Sequence, residues 1–457
     1  MRIAPAAWPV VPPLQLKVAN IIDVAERQMC CGCGACAHAA PDALEMVDVL
    51  DHGRRPNLRP GRSPRDPAVA DAVAVCPGIH LAHEGGPDDN RPGALPDLAE
   101  GWGPVLEVWE GWSTDDTARF RGSSGGGATA LSTWAVECGG MKGVLHTAPR
   151  EDVPYLNRTV FSRNKKEIAR GAGSRYSPAS PCEGLKHVEN AGGPSMMVGK
   201  PCDIAAANKA AARSPKLGEN LALTVGIFCA GTPSTKGTLE MIERLGVADP
   251  GDVAELRYRG HGWPGNATSI TRSGEESSLT YAQSWGEVLS RHAQWRCRIC
   301  PDHTGEFADI AVGDPWYREI EPGEPGRSMF VVRTERGRRA LMAAIEAGYV
   351  HAEKVDASTL PASQPNLLNV RGNVWMRTLV SRLLGAATPT FENIPTRRFW
   401  WSELSLKQKI QSVTGTAKRI FRRGLRQRVA MTPWAPEHPP LPLPKAAEDD
   451  SSREAAA

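Results

Sequence analysis

Two groups of cysteines constrain this 457-residue chain more than any other feature, because eight of its eleven cysteines fall into two sets of four. The first set begins in a compact run near the N-terminus and comprises Cys30, Cys33, Cys36 and Cys76. Three thiolates within seven residues, with Gly32 and Gly34 between them, are typical of a tight loop around an iron–sulfur cluster. A small, loop-rich, ferredoxin-like module that the cluster holds together is therefore predicted over residues 29–90.

The fourth ligand of this set is displaced along the chain. Bacterial ferredoxins with the same run place a further cysteine just before a proline. Ala40 occupies that position here, before Pro41, so we expect Cys76, which also precedes a proline, to complete the set. Zinc is the alternative, since paired cysteines also bind zinc, but zinc ligands usually come as separated pairs. Cys31 does not fit the three-residue spacing of Cys30, Cys33 and Cys36 and is predicted to be a non-ligand.

The second set is scattered, and comprises Cys202, Cys229, Cys297 and Cys300. Cys229 ends a predicted buried strand, and Cys202 lies at a predicted strand-to-helix turn. Such positions line the functional crevice of α/β folds, so the four could converge there. The alternative is that Cys202 and Cys229 are ordinary buried thiols, and spacing alone leaves both interpretations open. Cys138 and Cys182 are expected to be packing or surface residues.

The composition narrows the class of protein. A formal net charge of +3 is small for this length and does not by itself indicate nucleic-acid binding. No apolar run reaches the roughly eighteen residues of a membrane span, and prolines interrupt the N-terminus, so neither a span nor a signal peptide is expected. In the cytoplasm, clustered cysteines indicate metal or redox chemistry rather than disulfides.

Strand and helix signals alternate from about residue 104, which predicts an α/β fold with mixed sheets and flanking helices, preceded by the iron–sulfur module. The chain is long enough for about three domains. The predicted segments are a proline-rich lead-in at 1–28, the module at 29–90, α/β domains at 104–200 and 201–375, a basic tail at 376–430 and a disordered end at 431–457.

Three loops suggest a bound dinucleotide. The glycine-rich turn at residues 123–127 opens a predicted helix, whose exposed amides could cradle a phosphate. The loop at residues 171–177 adds Arg175, whose planar fork suits a diphosphate. Lys200 stands beside a candidate cluster ligand. An ordinary helix N-cap would look the same as the first loop, but three such loops near redox cysteines favour a flavin.

The combination of motifs resembles a known family. The motifs C-x-G-C-G-A-C, C-P-G, S-S-G-G, G-S-R-Y-S, V-G-K-P-C-D, G-I-F-C and C-x-x-C-x-D follow one another in that order over about residues 25–375. This order resembles the beta subunit of coenzyme F-420 hydrogenase/dehydrogenase. The family includes subunits of archaeal hydrogenases and formate dehydrogenases, 7-hydroxymethyl chlorophyll a reductase and bacterial members associated with polysaccharide synthesis.

The resemblance implies an iron–sulfur flavoprotein with two 4Fe-4S clusters and FAD. It implies flavin contacts in the loops named above, with Ser123 added from the first loop: Ser123, Ser124, Gly125, Gly126, Ser174, Arg175, Tyr176 and Lys200. It also strengthens the prediction of a second cluster. The basic tail beyond residue 376 lies outside the resemblance.

A candidate catalytic segment follows a strand at residues 257–265. We expect His261 or Arg259 to face the substrate, as a proton donor or an anion contact. The alternative is that His261 is an ordinary surface-loop residue. Trp263 is predicted to be structural, and Asp314 either to cap a helix or to hold an arginine.

The basic tail carries ten Lys or Arg and one Glu over residues 397–428, with apolar residues between them. It is interpreted either as a helix that contacts a membrane surface or a partner, or as a solvated basic helix. Gly415 and its β-branched neighbours Val413 and Thr414 are expected to interrupt this helix.

The sequence therefore predicts a soluble, cytoplasmic FAD- and iron–sulfur-dependent oxidoreductase, peripheral to the inner face of the membrane if the tail contacts lipid. Its expected partners are a redox donor such as ferredoxin or reduced deazaflavin, a small-molecule substrate and a second copy of the chain, but no nucleic acid. One alternative is a subunit that only relays electrons within a larger complex. Another is a zinc-binding scaffold.

Overall fold

The computed structural model describes residues 18–83, 93–321 and 323–434. Residues 1–17 of the predicted lead-in and all but the first four residues of the predicted disordered end lie outside these ranges.

The described residues form short helices and strands in alternation. The α-helices are α1 Ile21–Glu26, α2 Ala35–Ala39, α3 Pro67–Asp71, α4 Pro96–Trp102, α5 Asp116–Arg121, α6 Gly127–Glu137, α7 Lys165–Ala169, α8 Leu185–Glu189, α9 Pro201–Ala211, α10 Pro215–Asn220, α11 Thr235–Arg244, α12 Trp295–Arg298, α13 Glu335–Glu346, α14 Thr359–Ser363, α15 Leu367–Leu383, α16 Arg397–Ser402 and α17 Leu406–Arg422. The strands are β1 Leu44–Val49, β2 Gly53–Leu58, β3 His80–Ala82, β4 Glu107–Ser113, β5 Val144–Pro149, β6 Asn157–Ser162, β7 Ser195–Gly199, β8 Leu221–Ile227, β9 Val253–Arg257, β10 Ala267–Thr271, β11 Glu276–Leu279, β12 Ile310–Gly313, β13 Ser328–Val332, β14 Val350–Val355 and β15 Thr390–Glu392.

A central eight-stranded sheet organises the fold, in the order β14-β4-β13-β12-β8-β7-β5-β6. Strands β12, β8, β7 and β5 are parallel to one another. Strand β13 is antiparallel to both β12 and β4, so β4 runs in the same direction as the parallel group. The predicted α/β fold with mixed sheets is confirmed, and the sheet takes strands from both sides of residue 200.

Helices cover both faces of this sheet, as strands buried on both sides require. On one face, Leu131 of α6 and Leu341 of α13 share a buried cluster with Met196 of β7. On the other, Ile204 of α9 packs in a cluster with Met197, the next residue of the same strand. Adjacent strand residues therefore point to opposite helix layers, which accounts for the nearly continuous apolar strands.

The N-terminal module is built on the antiparallel hairpin of β1 and β2. Its apolar core is shared with distant parts of the chain, because Leu44 and Met29 belong to one buried cluster with Ile299, Val380 and Ile420. The module is therefore anchored on α15 and α17. A separate small sheet, with strands in the order β11-β10-β9, packs around the buried ring of Tyr258 and is called the small satellite sheet.

Within the basic tail, the short helix α16 is followed by α17, which runs without the interruption predicted near Gly415. Ser405 and Gln408 cap its start reciprocally. Ser412, Thr416 and Ile420 are buried on its inner side, so packing overrides the weak helix propensity around Gly415. Within the described ranges, no helix combines the length and the apolar character needed to cross a bilayer.

Candidate functional site

The carboxyl ends of the parallel strands meet at one edge of the central sheet, and several predicted site residues follow them directly. Lys200 comes immediately after β7, Asp314 immediately after β12, and Cys229 two residues after β8. The glycine-rich loop follows β4 and opens α6 at the same edge. Open α/β folds bind ligands at this edge.

The first cysteine set converges in the interior of the N-terminal module. Cys30, Cys33, Cys36 and Cys76 are all buried. Gly32 and Gly34 have φ values of +75° and +89°, which let the loop turn between the cysteines, and Cys36 lies in the first turn of α2. Burial raises the pKa of Cys36, and the Cys30, Cys33 and Cys76 thiolates raise it further. Each of the other three thiols is therefore close enough to Cys36 to act on its charge.

The second set gathers at the sheet edge. Burial and the neighbouring Cys297 and Cys202 thiolates raise the pKa of Cys229. Burial raises the pKa of Cys300, to which Asp302, Cys202 and Cys297 add. The amide of Thr232 donates to Cys297 Sγ at 3.3 Å. The structure thus brings together four cysteines whose spacing in the sequence left their convergence open.

His303 contacts the backbone of two members of the second set, Cys229 and Cys300. It was not predicted from the sequence. Its ring nitrogens lie 2.7 Å from the carbonyl oxygen of Cys229 and 3.0 Å from that of Cys300. The amide of Cys229 in turn donates to the His303 carbonyl at 2.9 Å. The position of His303, three residues after Cys300, was the available signal.

Buried cations lie against both sets. Lys200 Nζ donates to Asp203 Oδ2 at 2.6 Å. Burial alone would lower the pKa of Lys200, but Asp203 and the Cys202 thiol raise it above its usual value. Arg55 acts on Cys30, whose pKa its charge lowers against the effect of burial. These cations offset the negative charge that grouped thiolates would carry.

Arg296 connects the two sets, and it too was missed. It precedes Cys297 and is fully buried, and its guanidinium donates to the carbonyls of Pro77 at 3.0 Å and Gly78 at 2.8 Å, directly after Cys76. Burial alone would lower the pKa of Arg296, but the thiols of Cys31, Cys300 and Cys202 raise it. One side chain therefore holds the loop of the first set and faces the thiols of the second.

Two cysteines outside the sets also lie at this junction. Cys31 was predicted to be a non-ligand, and its thiol lies close enough to Cys202 of the second set to affect the pKa of that thiol. Cys182 is fully buried; its amide donates to the Cys33 carbonyl at 2.9 Å, and its thiol to the carbonyl of Asp203 at 3.2 Å. A hydrogen bond with Cys182 lowers the pKa of Cys33. Cys138 is exposed, as expected for a surface residue.

The donor chemistry of both sets fits iron–sulfur clusters. In the described ranges, no three or more His, Cys, Asp or Glu side chains gather tightly enough to hold a single metal ion. A single zinc ion draws its thiolates to within about 3.8 Å of one another, given Zn–S bonds of about 2.3 Å. A cluster is larger than one ion and holds its thiolates farther apart. Two all-cysteine sets, the first buried and the second partly buried, with cations against them are a suitable environment for such clusters.

The glycine-rich loop is packed tightly beside the start of β13. The amides of Gly125 and Gly127 donate to Ser328 Oγ at 3.0 and 3.2 Å, and Ser124 Oγ lies 3.0 Å from the same oxygen. A Cβ on Gly125 would lie 2.8 Å from the Gly111 carbonyl oxygen. Glycine is thus needed for the close approach, and Ser328, which the sequence analysis missed, caps the helix from another strand.

The second predicted flavin loop lies against the first, because the amide of Ser174 donates to Ser123 Oγ at 2.5 Å. The guanidinium of Arg175 is partly buried and donates to Asn157 Oδ1 and to two backbone carbonyls, those of Leu256 and Pro154. The ring of Tyr176 packs against Tyr258 and Trp285. The loop at residues 171–177 therefore joins the glycine-rich loop to the small satellite sheet.

The two candidate catalytic residues lie in different surroundings. Arg259 is buried and makes two hydrogen bonds of 2.9 Å to Asp314, and it also donates to the Ser123 carbonyl at 2.6 Å. Asp314 thus holds an arginine, and it accepts a further bond from the Trp263 indole at 3.0 Å. His261 is at the surface, where its ring lies 2.7 Å from Arg257 Nη1.

Aromatic rings surround the Arg259–Asp314 pair. The Arg259 guanidinium lies 4.8 Å from the centre of the Tyr281 ring and 5.6 Å from that of Trp316. Trp316 in turn stacks on Trp263 with ring centres 5.8 Å apart. Because Arg259 also contacts the backbone of the glycine-rich loop, this aromatic wall and the predicted flavin loops form one region of the sheet edge.

Comparison with known proteins identifies relatives of the chain. Two family descriptions match, both for the beta subunit of coenzyme F420 hydrogenase/dehydrogenase. The one for its N-terminal part matches residues 108–186, and the one for its C terminus matches residues 195–358. Together they cover more than half of the chain.

The chain is 24% identical over 251 residues to the coenzyme F420 hydrogenase subunit beta of Methanosarcina barkeri, covering 53% of this chain and 80% of the relative. It is 25% identical over 271 residues to the F420-dependent formate dehydrogenase 1 subunit beta of Methanococcus maripaludis, covering 59% and 65%. A solved structure of the F420-reducing [NiFe] hydrogenase complex from Methanosarcina barkeri includes a chain that aligns with a TM-score of 0.48 and 21% identity, covering 60% of this chain and 93% of that one.

Proposed function

The chain belongs to the coenzyme F420 hydrogenase/dehydrogenase beta subunit family, and we propose that it is an iron–sulfur flavoprotein that passes electrons between two 4Fe-4S clusters and FAD. The family supports a redox role within an oxidoreductase. The observation that carries the proposal is the arrangement along one sheet edge. Cys202 and Cys229 of the second cysteine set follow β7 and β8, and the glycine-rich loop follows β4 and contacts the start of β13 in the same sheet.

The first cluster would be held by Cys30, Cys33, Cys36 and Cys76, and the second by Cys202, Cys229, Cys297 and Cys300. When bound, such clusters carry single electrons. The chain's own contribution is to bury the thiols of the first set, to bury those of the second set in part, and to place cations against both. Arg55 acts on the first set, Arg296 and Lys200 on the second.

FAD is proposed to lie at the N-terminus of α6, with its diphosphate against the loop of Ser123, Ser124, Gly125 and Gly126. The flavin would supply two-electron hydride chemistry. Arg259 stabilises this loop by donating a hydrogen bond to the Ser123 carbonyl, and Asp314 holds the Arg259 guanidinium in place. The predicted flavin contacts of Ser174, Arg175, Tyr176 and Lys200 and the catalytic roles of Arg259 and His261 stay predictions. Arg175 and Lys200 donate to protein groups, and so do the amides of Gly125 and Gly127.

The two-electron partner is proposed to be a deazaflavin coenzyme or an organic substrate, and the proposed setting is polysaccharide biosynthesis. Both relatives described above are named as F420 enzymes, which favours the deazaflavin. They are also named as subunits, and this favours a second candidate function, an electron-relay subunit of a larger complex. Deazaflavin reduction by the isolated chain would support the first function; reduction only with added partner subunits would support the second.

Anaerobic purification followed by chemical analysis tests the proposal. We expect a brown protein that contains iron and acid-labile sulfide in equal amounts and releases FAD on denaturation. A colourless protein with stoichiometric zinc would establish the zinc scaffold instead. Iron and sulfide without flavin would support the relay and remove the flavin reductase.

A further inference from the structure

Helix α17 presents its apolar residues to solvent rather than to the core. Leu406, Ile410, Val413 and Phe421 are 75, 55, 38 and 61% exposed. At 3.6 residues per turn, positions 406, 410, 413 and 421 fall on one face. A helix of a globular protein normally turns such a face inward. Here Ser412, Thr416 and Ile420 form the buried side instead.

The inward side of α17 is fixed by specific contacts, so the outward face is not a matter of loose packing. Ser412 Oγ accepts a hydrogen bond of 3.1 Å from the Trp400 indole. Ile420 is fully buried, in the cluster that also contains Cys36 of the first cysteine set. Turning the apolar face inward would break both contacts. We call residues Leu406, Ile410, Val413 and Phe421 the outer apolar stripe.

Cations line the stripe. Lys407, Lys418 and Arg422 are exposed and fall along one flank of it. In the described part of the chain, no carboxylate forms an ion pair with any of the three, whereas Arg398 and Arg428 nearby are paired with acidic residues. The three cations thus have no acidic partner in the described residues, and the apolar stripe beside them is exposed. Both surfaces are available to an external binding partner.

A tryptophan extends the stripe beyond the start of α17. Trp401 of α16 is 59% exposed, and Lys409 Nζ lies 5.5 Å from the centre of its ring. Tryptophan and lysine are the side chains that favour the boundary between lipid and water. The stripe thus combines large apolar residues, an interfacial tryptophan and a basic flank, over a helix about 25 Å long.

We propose that the outer apolar stripe and its basic flank bind the surface of an anionic lipid bilayer, with α17 lying in the plane of the interface. A cationic flank is complementary to lipid phosphates, and a stripe of this width buries into the acyl boundary without spanning it. The surface contains none of the residues proposed for clusters or flavin, so this inference goes beyond the proposed function. The bilayer would lie next to the module of the first cysteine set.

Vesicle sedimentation with the full, cofactor-loaded chain tests this proposal. We expect binding to phosphatidylcholine vesicles that contain phosphatidylglycerol, and little binding to phosphatidylcholine alone. The charge variant Lys407→Gln, Lys418→Gln, Arg422→Gln should bind the anionic vesicles about 100-fold more weakly. The apolar variant Ile410→Ser, Phe421→Ser should lose at least about tenfold.

The matched control is Met342→Ser on α13, which removes a 45% exposed apolar side chain elsewhere and should bind like the unaltered chain. Thermal unfolding and visible absorbance show that each variant is folded and loaded. Failure of the unaltered chain to bind anionic vesicles would overturn the proposal, as would charge and apolar variants that bind these vesicles as tightly as the unaltered chain. A dimer that the apolar variant alone converts to a monomer would assign the stripe to a second copy of the chain and also overturn it.

Discussion

The two cysteine sets are held by different kinds of structure. The first lies on loops and on the short helix α2, with glycines at positive φ between its members. The second is fixed by the ends of β7 and β8 and by α12, on a sheet whose strands are buried on both faces. From this comparison we predict that a cluster stabilises the first module more than it stabilises the second site.

The largest expected effect comes from Cys76→Ala. It should remove about half of the iron and sulfide, and the midpoint of thermal unfolding should fall by on the order of 10 °C, because the loops of the module lose their link. Flavin should stay bound. Iron analysis, calorimetry and flavin release measure the three quantities, with the exposed Cys138→Ala as control. Loss of flavin together with iron would show that the two regions are not separable.

Cys229→Ala should also remove about half of the iron, with a change of only a few degrees in the unfolding midpoint. Its position after β8 is maintained by the sheet and by the hydrogen bonds with His303, not by a ligand. The difference between the two alanine variants is therefore the direct measure of the comparison. Equal drops in the midpoint would contradict it.

A buried carboxylate, Glu306, joins the N-terminal module to helix α15. We expect its substitution to change stability less than Cys76→Ala does. Glu306 accepts from Arg371 and lies 2.9 Å from His83 Nε2, at the end of the N-terminal module. Burial alone would raise the pKa of Glu306, but Arg371 and His83 lower it to about 2. A depressed carboxyl pKa stabilises the fold above the unfolded value of 4.5, and this stability is lost as the pH falls towards 2.

We therefore expect Glu306→Gln to lower the free energy of unfolding at neutral pH by roughly 3 kcal/mol and to flatten its decrease between pH 4.5 and 2. Denaturant unfolding at several pH values measures both effects. The control is Glu353→Gln at an exposed position of β14. An unchanged pH dependence would remove Glu306 as its source.

Features that depend on local spacing could be predicted from the sequence. Features that depend on contacts between distant strands and loops could not. The grouping of the first set was expected because Cys30, Cys33 and Cys36 lie within seven residues, and Ala40 before Pro41 led to Cys76 as the fourth member. The second set, Ser328 and Arg296 depend on which strands and loops become neighbours. Ser328 meets the glycine-rich loop only because β13 pairs with β4 in a register that places it opposite Gly111.

The direction in which a side chain points was the second property that the sequence could not predict. Arg175 looked suited to a diphosphate, yet its donors point to Asn157 and to backbone carbonyls. The basic tail was predicted to contain a helix interrupted near Gly415, and the sequence did not indicate which face of that helix would be outside. Both outcomes are decided by long-range packing, to which residue type and local spacing contribute little.

The smallest and most selective effect is expected from the two arginines that distinguish the sets. Arg55 acts on Cys30 and is held by Gln294, whereas Arg296 faces Cys31, Cys202, Cys297 and Cys300. A cation stabilises the more negative, reduced form of a cluster, so its removal lowers the midpoint potential. Arg55→Gln should lower the potential of the first cluster and Arg296→Gln that of the second, each by on the order of 50 mV.

Electron paramagnetic resonance at controlled potentials can follow the two clusters separately, with Cys76→Ala and Cys229→Ala assigning each signal. Arg55→Lys and Arg296→Lys, which keep the charge, should restore most of each shift. Because Arg296 also holds the carbonyls after Cys76, its variant tests whether the sets are electrostatically independent. A shift of both signals by Arg296→Gln would mean that the loop-held and sheet-held sites behave as one electrostatic unit, whatever their difference in stability.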